Sequence, residues 1–321
     1  MSFPRKQRNL RNNKIIFKSS SQGVQMNKII ECIPNFSEGK RQDVIDAISN
    51  AANSVPGAKL INVNVDPSYN RCVHTIVGEP EAVLEATFRA CQVAVEKIDM
   101  NCHHGEHPRI GAIDASPIVP VENVTIEECV EYANRLGERI FRELEVPVYL
   151  YEKAAKKEER IKLQNIRHPE YEGLQQLITQ PEWLPDYGEA KLHPTAGAMP
   201  LGVRGPLVAF NISLNTTDVK IAKKIAQCIR EAKGAFAEAR AIGVFVEEKQ
   251  CVQVSCMINH KIVPLYRIIE LVRMEARRYG LSIIGTEVCG MISKEALMDS
   301  CAYYMQLEGF DPKAQILEDQ L

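Results

Sequence analysis

The chain has 321 residues, of which 45% are hydrophobic, 25% charged and 6% aromatic, proportions that exclude disorder, collagen or a coiled coil as its main state. The net charge is −2, yet Arg5, Lys6, Arg8, Arg11, Lys14 and Lys18 face no acid within residues 1–25, so the remainder is acidic. That balance argues against a broad nucleic-acid surface, which needs surplus Lys and Arg, and no apolar run reaches the ~18 residues that cross a bilayer.

The length predicts two modest domains. Residues 1–25 read as a basic disordered extension without the apolar run of a secretory signal; a mitochondrial targeting segment is the alternative, and the cytoplasm is the expected compartment. Ten cysteines without a CxxC pair, most of them inside apolar runs, read as buried free thiols in a reducing compartment.

From Lys28 the run IIECIPN predicts a strand that breaks at Pro34. Val44, Ala47, Ile48, Ala51, Ala52 and Val55 recur at helical spacing, so a helix follows from near Arg41 and stops at Pro56 and Gly57. LINVNV (60–65) and CVHTIVG (72–78) form a hairpin through the turn DPSYN. Pro80 opens a second helix, an irregular segment DMNCHHGEHPR follows, and a short strand is expected at 110–113. A third helix starts at Thr125, where Thr125 and Glu128 make a capping box, and leads to a strand at 146–151.

The charged stretch 153–168 reads as a connector, and 184–206 as a long loop. Strands are then predicted at 207–214, 241–246, 252–258 and 282–284, with helices at 218–233, 264–279 and 294–304. The order βαββαβ thus occurs twice. The expected fold class is α+β, with two related ferredoxin-like subdomains, 26–205 and 206–321, and a cleft between them.

The segment NCHHGEHPR (101–109) gathers three of the seven histidines. Pro108 disfavours helix at His107 and Gly105 permits a bend, so these side chains sit on a loop. Three readings are open: a metal site of Cys102, His103, His104 and His107; a solvated loop without chemistry; or an acid/base centre at His107 flanked by Glu106 and Arg109. Arg71 ends the hairpin turn, where a guanidinium can clamp a carboxylate, and NFSEGK offers Asn35, Ser37 and backbone N–H groups. No Walker loop, GxGxxG fingerprint, nucleophile elbow or HExxH helix occurs.

ECIPNFSEG, DPSYNRCVHTIVG, IDMNCHHGEHPRIGAIDASPIVPV and ELEVPVYLYEKAA resemble the formiminotransferase domain of formimidoyltransferase-cyclodeaminase, over about Met26 to Tyr304. The resemblance implies a homodimer that moves a formimidoyl group from N-formimidoyl-glutamate to N5 of tetrahydrofolate in histidine breakdown. It implies tetrahydrofolate as co-substrate, no metal, and His107 as catalytic base. It also places folate contacts on Gly188, Glu189, Ala190, Lys191, Leu192, His193, Pro194, Thr195, Ala196 and Gly197.

Within that chemistry Glu106 would orient the imidazole or stabilise the cationic amidine. Arg71 and Arg109 would take substrate carboxylates, helped by Asn35 and Ser37, while Lys156, Lys157, Arg160 and Lys162 would attract a polyglutamate tail. Two departures stand out. Asn64 occupies the place where the family commonly carries aspartate, and HPTAGAMP lacks an aromatic residue. No cyclodeaminase domain is expected after this chain, so the product would diffuse to another enzyme. Asn64 supports an alternative, a folate-binding or dimerising pseudoenzyme of the same fold.

Overall fold

The computed structural model describes residues 27–105, 107–230 and 235–320; the basic extension and Glu106 lie outside the described residues. The first sheet contains β1 (Ile29–Cys32), β2 (Asn35–Phe36), β3 (Ala58–Asp66), β4 (Arg71–Gly78), β5 (Ile113–Glu122), β6 (Val148–Glu152) and β7 (Met199–Val203). β1 and β2 are one line interrupted at Ile33 and Pro34, where proline has no N–H to donate. Cys32 pairs with Ile76 and Asn35 with Val73, so the register along β4 runs unbroken through the gap. The spatial order is β3, β4, β1/β2, β5, β7, β6; all neighbours are antiparallel except β5/β7 and β7/β6.

Three helices cover one face: α1 (Gln42–Asn53), α2 (Pro80–Lys97) and α3 (Ile126–Leu144). The apolar stripe read from the sequence is the buried one, with Val44, Ile45, Ile48 and Ala52 turned inward from α1. Burying each such branched side chain stabilises the fold by about 1.5–3 kcal/mol. Thr125 accepts from Glu128 N while Glu128 accepts from Thr125 N, so the expected capping box is formed. On the opposite face Tyr149 and Tyr151 of β6 pack with Ile166 and Leu174. These come from α4 (Leu163–Arg167) and α5 (Glu170–Leu177) of the connector.

Two expectations are corrected. The strand expected at 110–113 begins at Ile113 and runs to Glu122; Pro117 and Pro120 disguise it, because proline is rare inside a sheet. The long loop 184–206 contains β7, which enters between β5 and β6; Pro200 and Gly202 break the alternation that would reveal it. The thiols also divide: Cys32, Cys72, Cys91, Cys129, Cys251 and Cys256 are buried, whereas Cys102, Cys228, Cys289 and Cys301 are exposed, and all are free.

The second sheet has the order β11 (Ile283–Cys289), β8 (Leu207–Leu214), β10 (Cys251–Asn259), β9 (Ala239–Val246), entirely antiparallel. Helices α6 (Val219–Ile229) and α7 (Leu265–Arg277) pack on one face around Phe210, Ile212, Val254 and Ile268. α8 (Lys294–Met305) and α9 (Pro312–Gln315) follow. In both halves the first strand of the βαββαβ order lies between the third and the fourth. The halves meet through Lys153 with Glu238 at 3.2 Å and Glu152 with Arg240 at 2.8 Å. Among the described residues no helix is long and apolar enough to cross a membrane.

Candidate active site

Directly paired residues of neighbouring strands point to the same side of a sheet. Asn64 pairs with Val73 and Val73 with Asn35, so Asn64, Asn35 and Arg71 share one face. His74 faces the other way. It is buried under α1 with Nε2 2.9 Å from Ser49 Oγ, and burial pushes its pKa down to about 4.

Asn35 is held by its own amide: Nδ2 donates to Ile33 O at 2.7 Å, which leaves Oδ1 to accept from Arg71 Nη2 at 2.5 Å. Ser37 is spent on backbone contacts, its hydroxyl donating to Gly111 O at 2.7 Å and its N–H to Ala112 O at 2.9 Å. It therefore braces the loops and offers no free donor.

β5 shifts register between its pairs with Asn35 and Phe36, and Asp114 is the extra residue of that bulge. Bulges re-aim side chains, and this one brings a carboxylate with only 1% exposure to the site. Asp114 Oδ2 lies 2.7 Å from Arg167 Nη2, 3.6 Å from Arg71 Nη2 and 3.7 Å from His107 Nδ1. Arg71 Nη1 is 2.9 Å from His107 Nδ1 and also contacts Nε2, while the Tyr69 ring leans over the imidazole at 5.7 Å. Desolvation first, and then the charge of Arg71, push the His107 pKa down to about 4, against the opposing pull of Asp114. At neutral pH His107 is therefore an uncharged imidazole, the form that accepts a proton.

The loops around this cluster are tied by Asn70, whose φ of 49° lies in the left-handed region. Its Oδ1 accepts from Gly39 N at 2.9 Å, its Nδ2 donates to His104 O at 3.0 Å, and its carbonyl lies 2.9 Å from His103 Nε2. Gly105 is needed because a Cβ there would stand 2.3 Å from Tyr69 O.

Arg109, expected to act beside His107, makes no hydrogen bond to Arg71, Asp114 or His107. Its guanidinium is buried and fully used: Nη1 binds Glu170 at 2.7 Å and Glu172 at 2.9 Å, Nη2 binds Glu172 at 2.7 Å and His103 O at 3.2 Å, and Nε reaches His103 Nδ1 at 3.4 Å. It braces the loop against α5. His103 thereby has both ring nitrogens occupied, and Cys102 is exposed beside Asp99. The four metal ligands considered do not converge, and among the described residues no group of three or more His, Cys, Asp or Glu could hold an ion.

The formiminotransferase domain, N-terminal subdomain, matches residues 29–204, and the formiminotransferase domain that follows it matches residues 209–320. The chain belongs to the formiminotransferase family. It is 47% identical over 297 residues to the glutamate formimidoyltransferase of Streptococcus pyogenes serotype M1, covering 92% of this chain and 99% of that one. The glutamate formimidoyltransferase of Thermoplasma acidophilum is 41% identical, with 91% and 97% covered. The formimidoyltransferase-cyclodeaminase of Mus musculus is also 41% identical, and there the match spans 92% of this chain but 55% of the relative.

The loop that the family resemblance links to folate, 188–197, is anchored beside the histidine loop. Met100 N donates to Thr195 O at 2.8 Å, Asn101 Nδ2 to Pro194 O at 2.9 Å, and Ala112 N to Ala196 O at 2.8 Å. His193 Nδ1 accepts from Ala196 N at 3.0 Å. Gly188, Glu189, Ala190 and Lys191 are exposed, Leu192 and His193 are half-buried, and none of the ten hydrogen-bonds to Arg71, Asp114 or His107. Asn64 is exposed on β3.

The proposed polyglutamate lure is corrected in part. Arg160 is buried, binding Asp186 at 2.9 Å and Glu182 O at 3.0 Å, and Lys157 donates to Pro181 O at 3.1 Å. Lys156 lies over the Tyr187 ring, and Lys162 is exposed. Asp114 and Arg167 were not singled out from the sequence. A lone acid inside the apolar run AIDASPIV was the available signal for Asp114; Arg167 was hidden in the charged connector.

Proposed function

We propose that this protein transfers the formimidoyl group of N-formimidoyl-glutamate to N5 of tetrahydrofolate, with His107 as general base. The observation that carries this reading is the His107 ring placed against the Arg71–Asp114–Arg167 ion cluster, 2.9 Å from Arg71 Nη1 and 3.7 Å from the buried Asp114 carboxylate, in a family whose relatives include glutamate formimidoyltransferases. N5 forms a bond to the amidine carbon as the C=N electron pair moves onto nitrogen, and the N5 proton passes to His107. The resulting imidazolium stands beside Arg71, which favours giving the proton to the departing glutamate amine as its C–N bond breaks. Binding both reactants in one cleft supplies much of the acceleration.

The same reading carries folate contacts on the 188–197 loop, a homodimer, the cytoplasm as compartment and a subdomain boundary near residue 205. The ferredoxin-like description of each half is supported by the shared strand order. The test is transfer between the two substrates by the purified full chain beside His107→Ala and Asn64→Asp. Turnover by the wild type and a loss of about 10²–10⁴-fold in His107→Ala are expected. A wild type that binds 5-formyltetrahydrofolate but does not turn over overturns the reading in favour of the pseudoenzyme, and activity gained in Asn64→Asp would then identify the missing charge.

A further inference from the structure

We propose that Arg71 and Arg167, bridged by Asp114, form the subsite that binds a carboxylate of the formimidoyl donor, with Asp114 as the positioning residue. This inference rests on the transfer reading and names which groups hold its donor. One oxygen of Asp114 serves both guanidiniums, at 2.7 Å from Arg167 and 3.6 Å from Arg71. Two cations against one carboxylate leave the cluster one positive charge in excess, and the neighbouring imidazole is uncharged.

The donors of this cluster are incompletely used. Among the described residues Arg71 Nε, Arg167 Nε and Asp114 Oδ1 are buried without a hydrogen-bond partner. Arg167 spends Nη2 on the carbonyl and carboxylate of Asp114, and its Nη1 makes no hydrogen bond to a described residue. Buried polar groups left in that state are costly, and a ligand carboxylate offers two acceptor oxygens with the charge and the planar geometry that guanidinium forks match. The nearby arginines cannot serve: all five N–H groups of Arg109 are engaged with Glu170, Glu172 and His103, and Arg160 is bound to Asp186 and two carbonyls.

The arrangement also couples binding to the base. Arg71 Nη1 lies against the His107 ring at 2.9 Å from Nδ1, where its N–H competes for the imidazole lone pair. A carboxylate that draws Arg71 toward itself releases that lone pair and offsets the positive charge beside it. Among the described residues, the groups facing His107 are Arg71 from β4, Asp114 from β5, Arg167 from α4 and the Tyr69 ring from the hairpin turn.

Titration calorimetry on the full chain, with L-glutamate and 5-formyltetrahydrofolate as separate probes, tests the subsite in wild type, Arg167→Gln and the double variant Arg167→Gln/Asp114→Asn. The double variant removes both charges and so keeps the experiment readable if the single one unfolds. Both variants should bind L-glutamate at least about tenfold more weakly while holding 5-formyltetrahydrofolate as the wild type does, and in turnover KM for the donor should rise with KM for tetrahydrofolate unchanged. Saturating L-glutamate should raise the His107 pKa, followed by NMR of the ring, in the wild type only. Unchanged L-glutamate affinity in folded variants overturns the subsite. Loss of 5-formyltetrahydrofolate affinity in its place assigns the carboxylate to the folate tail and overturns the donor assignment. A wild type that binds L-glutamate in this Arg167-dependent way without turning over supports the subsite and refutes the transfer reading alone.

Discussion

The two halves order their strands alike, yet only one of them carries the ion cluster. In the second half β8 is a continuous strand that pairs with β10 at eight successive positions. In the first half the corresponding strand is broken at Pro34, its neighbour β5 bulges at Asp114, and two parallel strands extend the sheet. Breaks in a ladder free backbone and redirect side chains. Here they place Asn35, Asp114 and Arg71 on one face, while the second sheet, whose one register shift lies on its edge strand β11, supplies a second packed core.

The comparison can be broken most severely at Asp114. Asp114→Ala removes the buried carboxylate and leaves two half-buried guanidiniums uncompensated, and should cost about 3–5 kcal/mol of stability along with the activity. Gly285→Ala, at the irregularity of β11 where a Cβ meets nothing within 4 Å, should stay within about 0.5 kcal/mol. Urea unfolding of both variants measures the contrast, and equal costs would mean that the two irregularities do the same work.

Acid should act on the first half before the second. His74 and His107 bind protons near pH 6.5 when unfolded but only near about 4 when folded. The unfolded chain thus takes up protons that the native one refuses, and stability falls as pH drops from about 6.5 through 4, by up to about 3 kcal/mol from His74. Unfolding midpoints of wild type and His74→Gln at several pH values would show it, as a flatter pH dependence in the variant.

A smaller and more discriminating pair is Gly202→Ala and Gly243→Ala. A Cβ on Gly202 would stand 2.5 Å from the Tyr151 ring, and one on Gly243 2.3 Å from Lys223 N of α6. Each should cost about 1–3 kcal/mol. Only Gly202→Ala should change the kinetics, because Tyr151 neighbours the charges of Arg167 and Arg71, whereas Gly243 touches only the second core.

Helices with a clear apolar stripe, such as α1 and α7, were legible in the sequence because burial follows the helical period. Strands were legible where the chain alternates or runs apolar without proline, as in β4, β8 and β10. β5 and β7 were displaced or hidden because their prolines and Gly202 serve a sheet buried on both faces, which erases alternation. His107 and Arg71 could be chosen by residue type, but Arg109 and Arg71 look alike until their partners are known. What separates them is spatial: Glu170 and Glu172 saturate one, and a bulge that no local pattern announces brings Asp114 to the other.

Asn70 joins the NFSEGK loop, the hairpin turn and the histidine loop through one side chain and one carbonyl. Segments tied at a common knot do not open one at a time. The Gly39 amide, which donates to Asn70, should therefore exchange its proton with solvent only when all three loops lift together, making the opening of the loops around His107 a single cooperative fluctuation.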